Sequence, residues 1–206
     1  TFANTIAVNV GALNIICGRY EEAVEVLTPV YDYFTSHKEV ERYEDYMLAL
    51  YQNLAKANLC SGRLKEAKMC FDAIHADFEI PDDSYMMGTV LCAEAMYFHI
   101  VGDEENCEKN IARIHKSINT NVPIMDMFDD YHDYCKVLLD RSKQEGFWHI
   151  IETLEPLIKN LDFTNLQLKL ISLKIKYYRK YAMAADYLQA AGLYYELSER
   201  SEIETR

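Results

Sequence analysis

The polar cluster most suggestive of chemistry lies after Pro123. Its members are Asp126, Asp129, Asp130, His132 and Asp133. Asp129, His132 and Asp133 stand at positions i, i+3 and i+4, so on a helix they share one face and could hold a divalent cation. Carboxylates in the first turns of a helix are also favoured by the helix dipole. We therefore expect a solvated helix start here, with a metal site as the weaker alternative.

Several common catalytic and nucleotide-binding motifs are absent from the sequence. The sequence contains no phosphate loop, no GxGxxG, no GxSxG, no HExxH and no CxxC pair. His115, His132 and His149 are evenly spaced but fall on different predicted helices. Six cysteines lie far apart along the chain, and we expect them to be reduced thiols in helix packing: Cys17, Cys60, Cys70, Cys92, Cys107 and Cys135. The sequence predicts no enzyme, no catalytic residue, no metal and no cofactor.

Composition limits the fold and the partners. Gly 7 and Pro 4 are few for 206 residues, which favours helices over the tight turns of an all-β fold. A hydrophobic content of 50% excludes intrinsic disorder. The net charge of −12 argues against a nucleic-acid partner, because phosphate binding needs Lys and Arg. No signal peptide or membrane span is recognisable, so we expect a cytoplasmic protein without membrane insertion.

Helical spacing and chain breakers predict ten helices. They span 2–17, 20–36, 39–60, 63–77, 83–101, 104–118, 124–143, 147–160, 163–179 and 181–204. Gly18, Gly62 and Gly102 stand where helices must end, since glycine adopts the left-handed conformation cheaply. Pro29 and Pro156 fall inside two of the helices and are expected to kink or shorten them.

The helices repeat in pairs. NIICGRYEEA (Asn14 to Ala23) recurs as NLCSGRLKEA (Asn58 to Ala67), 44 residues later. A third copy begins at Gly102, with Cys107 in the place of Ala23. Two fainter copies are placed on two sets of apolar residues. The offsets between successive copies are then 44, 40, 43 and 34 residues. The first set is Phe147, Ile150, Leu154 and Leu157, and the second is Tyr181, Ala184, Leu188 and Ala191.

This pattern resembles the tetratricopeptide repeat, whose second helix opens with a Gly, an aromatic or Leu two residues on, and a small residue three further on. The resemblance implies an all-α fold, an α-α superhelix or solenoid of about five degenerate helix pairs, in a single domain over 1–206. Three of the four offsets exceed the family repeat of about 34 residues, so longer first helices are expected. A plain antiparallel helical bundle is the alternative.

The family binds extended peptides on its concave face, which the first helices line. The resemblance thereby implies eight groove residues: Gln52, Lys56, Met96, His99, Lys143, Lys169, Leu173 and Lys176. Lys169 and Lys176, with Lys174 nearby, are expected to receive a carboxylate or an acidic segment as point charges. A solvated lysine face is the alternative.

The last predicted helix runs into SERSEIETR with no Gly or Pro after Gly192, and the chain starts with Thr1 rather than Met. We therefore expect a fragment of a longer protein. The chain resembles the N-terminal regulatory regions of bacterial signalling proteins such as GGDEF-type diguanylate cyclases. This implies a non-catalytic interaction or sensor module that passes its state through the C-terminal helix, which also offers a surface for a homodimer. The alternative is a free-standing scaffold or adaptor that binds peptides.

Overall fold

A computed structural model describes residues 2–39, 43–117, 124–159 and 163–204. These residues form ten α-helices and, within those ranges, no strand. The helices are α1 (Phe2–Ile16), α2 (Tyr20–Ser36), α3 (Tyr43–Cys60), α4 (Leu64–Asp77), α5 (Tyr85–Val101), α6 (Glu104–Ser117), α7 (Ile124–Asp140), α8 (Gln144–Lys159), α9 (Thr164–Lys180) and α10 (Ala184–Glu204). All ten predicted helices are present, and each boundary lies within four residues of its prediction.

The chain divides into two compact units, Thr1–Ser117 and Ile118–Arg206. The first unit contains three helix hairpins, α1 to α6, and the second contains two, α7 to α10. The expectation of a single domain over 1–206 is not tested by this division and stays a prediction. Within the described ranges, no helix combines the length and the apolar content that a membrane crossing requires.

All five hairpins close with the same turn. One residue of each turn has a left-handed backbone: Gly18, Gly62, Gly102, Ser142 and Ala182, with φ of 73°, 78°, 75°, 58° and 53°. The next residue donates its backbone N–H to the carbonyl five positions back, over 2.8–2.9 Å in every case. This is the hydrogen bond of a Schellman helix end, so the five turns mark one structural repeat.

The turns correct the predicted repeat register. The left-handed residue recurs after 44 residues and then after 40, 40 and 40, so the predicted offsets of 43 and 34 for the last two copies were wrong. The fourth copy was placed three residues late and the fifth three residues early. In the observed register Phe147 occupies the slot of Ala23, and Tyr187 occupies it in the fifth hairpin.

Small side chains let the hairpins of the first unit close. Ala23, Ala67 and Cys107 are all 0% exposed. On the facing helix, a Cβ added to Gly11 would come within 2.4 Å of the Leu27 side chain, so α1 and α2 cross closely there. Close crossing brings the larger apolar residues of consecutive hairpins into one core, which extends from Val8 in α1 to Ala93 in α5.

The second unit is packed with aromatic rings. Phe147 is fully buried and stacks on Tyr177 with the ring centroids 5.0 Å apart and the planes 15° apart. Trp148 meets Tyr177 edge-on at 5.0 Å and also contacts Tyr178. Trp148 is therefore a contact between consecutive hairpins, and Tyr177 belongs to the core.

Neither internal proline ends its helix. α2 continues past Pro29 to Ser36, and α8 continues past Pro156 to Lys159. The expected shortening does not occur. Both helices are amphipathic and held by buried residues on either side of the proline, which offsets the loss of one backbone hydrogen bond.

Candidate functional site

The acidic cluster of α7 is engaged by lysines. Asp129 Oδ1 accepts from Lys169 Nζ at 2.6 Å, and Asp133 Oδ1 accepts from Lys136 Nζ at 2.7 Å. His132 Nδ1 lies 3.3 Å from the same oxygen of Asp133. The side chain of Asp126 lies outside the described residues. Among the side chains that are described, no group of three or more His, Cys, Asp or Glu is placed to hold a metal ion.

The cysteines are all thiols. Cys70, Cys92, Cys107 and Cys135 are buried, whereas Cys17 is exposed. Burial raises the pKa of Cys70 to about 12 and also raises the pKa of Cys135, so neither forms a thiolate near neutral pH. The Sγ of Cys107 lies 3.5 Å from the carbonyl oxygen of Ala95 inside a hairpin, which fits the predicted packing role. His132 and His149 lie on different helices, and the side chain of His115 is not described.

The eight predicted groove residues differ in burial and in the elements that carry them. Leu173 is 0% exposed and Lys56 is 7% exposed, so Leu173 belongs to a core rather than to a binding surface. Gln52, Met96 and His99 are half-buried, and Met96 packs against the core of the first unit. Lys143 lies in the turn after α7 rather than on a first helix, because α7 ends at Asp140. Whether the remaining residues bind a peptide stays a prediction.

The three lysines singled out on α9 have different surroundings. Lys169 is paired with Asp129 across α9 and α7, as described above. Lys174 Nζ is likewise paired with Glu155 of α8 at 2.5 Å. Lys176 is exposed and has no ion-pair partner among the described residues. Of the lysines singled out on α9, Lys176 is therefore the one available for a ligand.

A basic pocket surrounds Lys176 at the C-terminal ends of α7 and α9. Its volume is about 440 Å³, and we call it the basic pocket. Its lining residues are Lys136, Leu139, Asp140, Lys176, Arg179 and Lys180. Four of these six side chains are cationic and one is acidic, in a chain whose net charge is −12. Positive charge is thus concentrated at one place in an otherwise acidic molecule.

The cations of the basic pocket have distinct tasks. Lys180 Nζ donates to the carbonyl oxygens of Leu139 and Asp140, the last residues of α7, where a cation is favoured by the helix dipole. Lys136 is paired with Asp133 but keeps 44% of its side chain exposed. Arg179, like Lys176, is exposed and makes no ion pair within the described part of the chain. Lys176 and Arg179 are therefore the cations that can bind an incoming anion without breaking an ion pair or a hydrogen bond to the end of α7.

The repeat register explains this concentration of charge. Lys136 and Lys176 are 40 residues apart and occupy equivalent positions in consecutive first helices, as do Met96 and Lys56 before them. The sequence predicted Lys176 as a site residue but not Lys136, Arg179 or Lys180. The signal that could have found Lys136 was the 40-residue spacing, which the misplaced fourth and fifth copies concealed.

A second pocket lies in the first unit, with a volume of about 520 Å³. At its floor Glu94 is 5% exposed and accepts from His75 Nε2 at 2.8 Å and from Asn110 Nδ2 at 3.1 Å. The hydrogen bond to Glu94 raises the pKa of His75. Arg113 at the rim is paired with Asp82. Because the charges here largely satisfy one another, this pocket offers an external ligand less than the basic pocket does.

The comparisons with known proteins establish the fold. No protein-family model and no curated protein sequence matches the chain. A crystal structure described as a Podosopora anserina putative kinesin light chain with nearly identical TPR-like repeats superposes with a TM-score of 0.61. It is 14% identical and covers 96% of this chain and 95% of its own. This chain therefore has an all-α, tetratricopeptide-like repeat fold, as the sequence predicted.

Proposed function

We propose that this protein is a non-catalytic protein-interaction module and that its basic pocket binds an acidic segment of a partner. The observation that carries the proposal is the basic pocket itself, with Lys136, Lys176, Arg179 and Lys180 around one opening in an acidic chain. The tetratricopeptide-like fold supports it, because such repeats present extended surfaces rather than enclosed reaction sites.

The chemistry of the basic pocket suits carboxylates. Arg179 offers a planar fork that can bind one carboxylate through two hydrogen bonds, while Lys176 and Lys136 act as point charges. Leu139 provides an apolar wall for the methylene groups of a bound side chain. Because the two available cations are exposed, the attraction is screened by salt, and binding should weaken as the ionic strength rises.

The test measures the affinity for a fluorescein-labelled peptide of Glu and Asp residues by fluorescence anisotropy. Lys176→Glu combined with Arg179→Glu should lower the affinity roughly tenfold or more, because it replaces two attractive contacts with repulsive ones. The matched control is Lys65→Glu combined with Lys68→Glu on exposed positions of α4, which changes the net charge equally. Equal losses in both double variants, or no binding by the wild type, would refute the proposal.

A second hypothesis is that this protein is a regulatory module of a bacterial signalling protein such as a GGDEF-type diguanylate cyclase. Its supporting observation is α10, which carries exposed Leu193 and Tyr194 at 48% and 38% and so has a surface for a following domain. Sequencing the natural reading frame past the codon for Arg206 tests it. A catalytic domain there would support the regulatory module, and a stop codon would favour the free-standing scaffold or adaptor.

A further inference from the structure

α1 has an apolar face that is open to solvent. Its large hydrophobic side chains are Phe2, Ile6, Val10, Leu13 and Ile16, with exposures of 81%, 47%, 39%, 57% and 48%. They recur every three or four residues, so they line one side of the helix. α1 contains no charged residue. An exposed apolar stripe of this length is typical of an interaction surface rather than of a solvated helix face.

The position of Leu13 is a contact between consecutive hairpins within each unit. Its equivalents in first helices that follow another hairpin of the same unit are Ala57, Tyr97 and Tyr177. Each packs against the second helix of the preceding hairpin: Ala57 clusters with Val24, Tyr97 meets Phe71 at 6.0 Å, and Tyr177 meets Trp148 at 5.0 Å. By this register, the exposed face of α1 is the half of a repeat contact that receives a preceding second helix.

The position of Val10 leads to the same conclusion. Two of its equivalents, Glu94 and Lys174, reach back to the preceding hairpin. Glu94 accepts from His75 at 2.8 Å, and Lys174 donates to Glu155 at 2.5 Å. His75 and Glu155 are themselves equivalent positions in second helices. The repeat thus uses the same pair of positions for both of these contacts.

α10 exposes the complementary half. Leu188 is 69% exposed and is equivalent to Val24 and Trp148. Each of those two residues contacts the first helix of the hairpin that follows its own. Tyr195 is 63% exposed and is equivalent to His75 and Glu155. Capping repeats keep an array soluble by presenting a polar outer face, whereas the exposed faces of α1 and α10 are apolar.

We propose that a second copy of this chain places its α10 against α1, so that Leu188 meets Leu13 and Tyr195 meets Val10. The contact reproduces between two molecules the pairing of positions that the chain uses between its own hairpins. It joins two different surfaces, so it leaves one free copy of each and permits growth beyond a dimer. It also differs from a homodimer through two C-terminal helices, which would not involve α1.

The experiment is sedimentation velocity of the full 206-residue chain over a wide range of concentration. The wild type should form species larger than the monomer as its concentration rises. Leu13→Glu and Leu188→Glu should each weaken this association roughly tenfold or more, because each places a carboxylate against apolar side chains. Met69→Glu is the matched control, since Met69 is 71% exposed on α4 and lies outside both faces.

Mixing the two variants identifies the surfaces. The Leu13→Glu chain keeps its α10 face and the Leu188→Glu chain keeps its α1 face, so their equimolar mixture should form dimers and nothing larger. A wild type that stays monomeric at every concentration overturns the proposal. So does a Leu13→Glu chain that associates like the wild type, or a mixture that stays monomeric while the wild type associates.

Discussion

The two units close their hairpins with the same backbone turn but build it from different residues. The first unit uses Gly18, Gly62 and Gly102, whereas the second uses Ser142 and Ala182 with φ of 58° and 53°. A residue with a Cβ loses about 1–2 kcal/mol in this conformation. The hydrogen bonds of the turn are nevertheless the same in both units. The helices and their packing therefore determine the turn, and glycine only lowers the conformational energy of its left-handed residue.

The units also differ in the slot where second helix meets first. Ala23 and Ala67 fill it in the first unit and Phe147 fills it in the second, and all three are 0% exposed. The ring of Phe147 stacks on Tyr177 of the following hairpin, so the large side chain binds two hairpins together. The slot thus accepts side chains of very different volume, since the fifth hairpin places the half-buried Tyr187 there. The fourth hairpin depends on the ring of Phe147.

The largest expected effect tests that dependence. Phe147→Ala should destabilise the second unit by about 3–5 kcal/mol, because it removes a fully buried ring and leaves a cavity. Urea denaturation followed by circular dichroism and by the fluorescence of Trp148, the single tryptophan, measures it. Phe163→Ala, which truncates a 47% exposed ring in the same unit, should cost far less. A loss below about 1 kcal/mol for Phe147→Ala would contradict the structure.

The same contrast explains what could be predicted from the sequence. Glycine at the turns and alanine in the slot are visible in a sequence, so the first three hairpins were placed correctly. Ser142 and Ala182 carry no turn signal, and a phenylalanine in the slot looks like any core residue. The helices of the second unit could still be predicted from apolar spacing, but their register could not.

The basic pocket could be predicted only in part. Lys176 and an acidic partner were predicted, because lysines stand out in an acidic chain. A sequence does not show which lysines are already paired, and Lys169 is held by Asp129. To predict that Lys136, Arg179 and Lys180 lie near Lys176, one must know where α7 and α9 end. Those ends depend on the repeat register.

Contacts between hairpins show a third difference between the units. Glu94 in the first unit and Lys174 in the second occupy equivalent positions with opposite charge. Glu94 has 7% of its side chain exposed and pairs with His75, whose pKa is raised by that hydrogen bond. Lys174 has 18% of its side chain exposed and pairs with Glu155, which is 49% exposed. Only the first contact contains a group that titrates near neutral pH.

His75→Gln should therefore make the stability of the first unit less dependent on pH. The raised pKa means that protonated His75 stabilises the fold fully below its ordinary value of 6.5, and that this stabilisation is lost as the pH rises through the folded-state pKa. His75 is 37% exposed, so we expect a loss of about 1 kcal/mol at acidic pH and less at alkaline pH. Urea denaturation of wild type and variant at about pH 5.5 and 8.5 measures the difference.

The matched variant is Lys174→Gln in the second unit. This contact contains no histidine and lies near the surface, so the effect of the substitution should be small and equal at both pH values. If the His75→Gln difference is also independent of pH, protonated His75 does not stabilise the contact with Glu94. If Lys174→Gln shows the stronger pH dependence, the comparison between the two contacts is wrong.

The smallest expected effect returns to the turns. Ala182→Gly and Ser142→Gly should each stabilise the second unit by up to about 1 kcal/mol, because relief of the left-handed strain exceeds the entropy that glycine adds to the unfolded chain. Gly62→Ala should destabilise the first unit by a similar amount. A Cβ at Gly62 would meet nothing within 4 Å, so its cost comes from backbone strain alone. If Ala182→Gly instead destabilises the protein, the backbone of Ala182 is not strained. The turns of the two units would then not differ in strain, and this part of the comparison would be wrong.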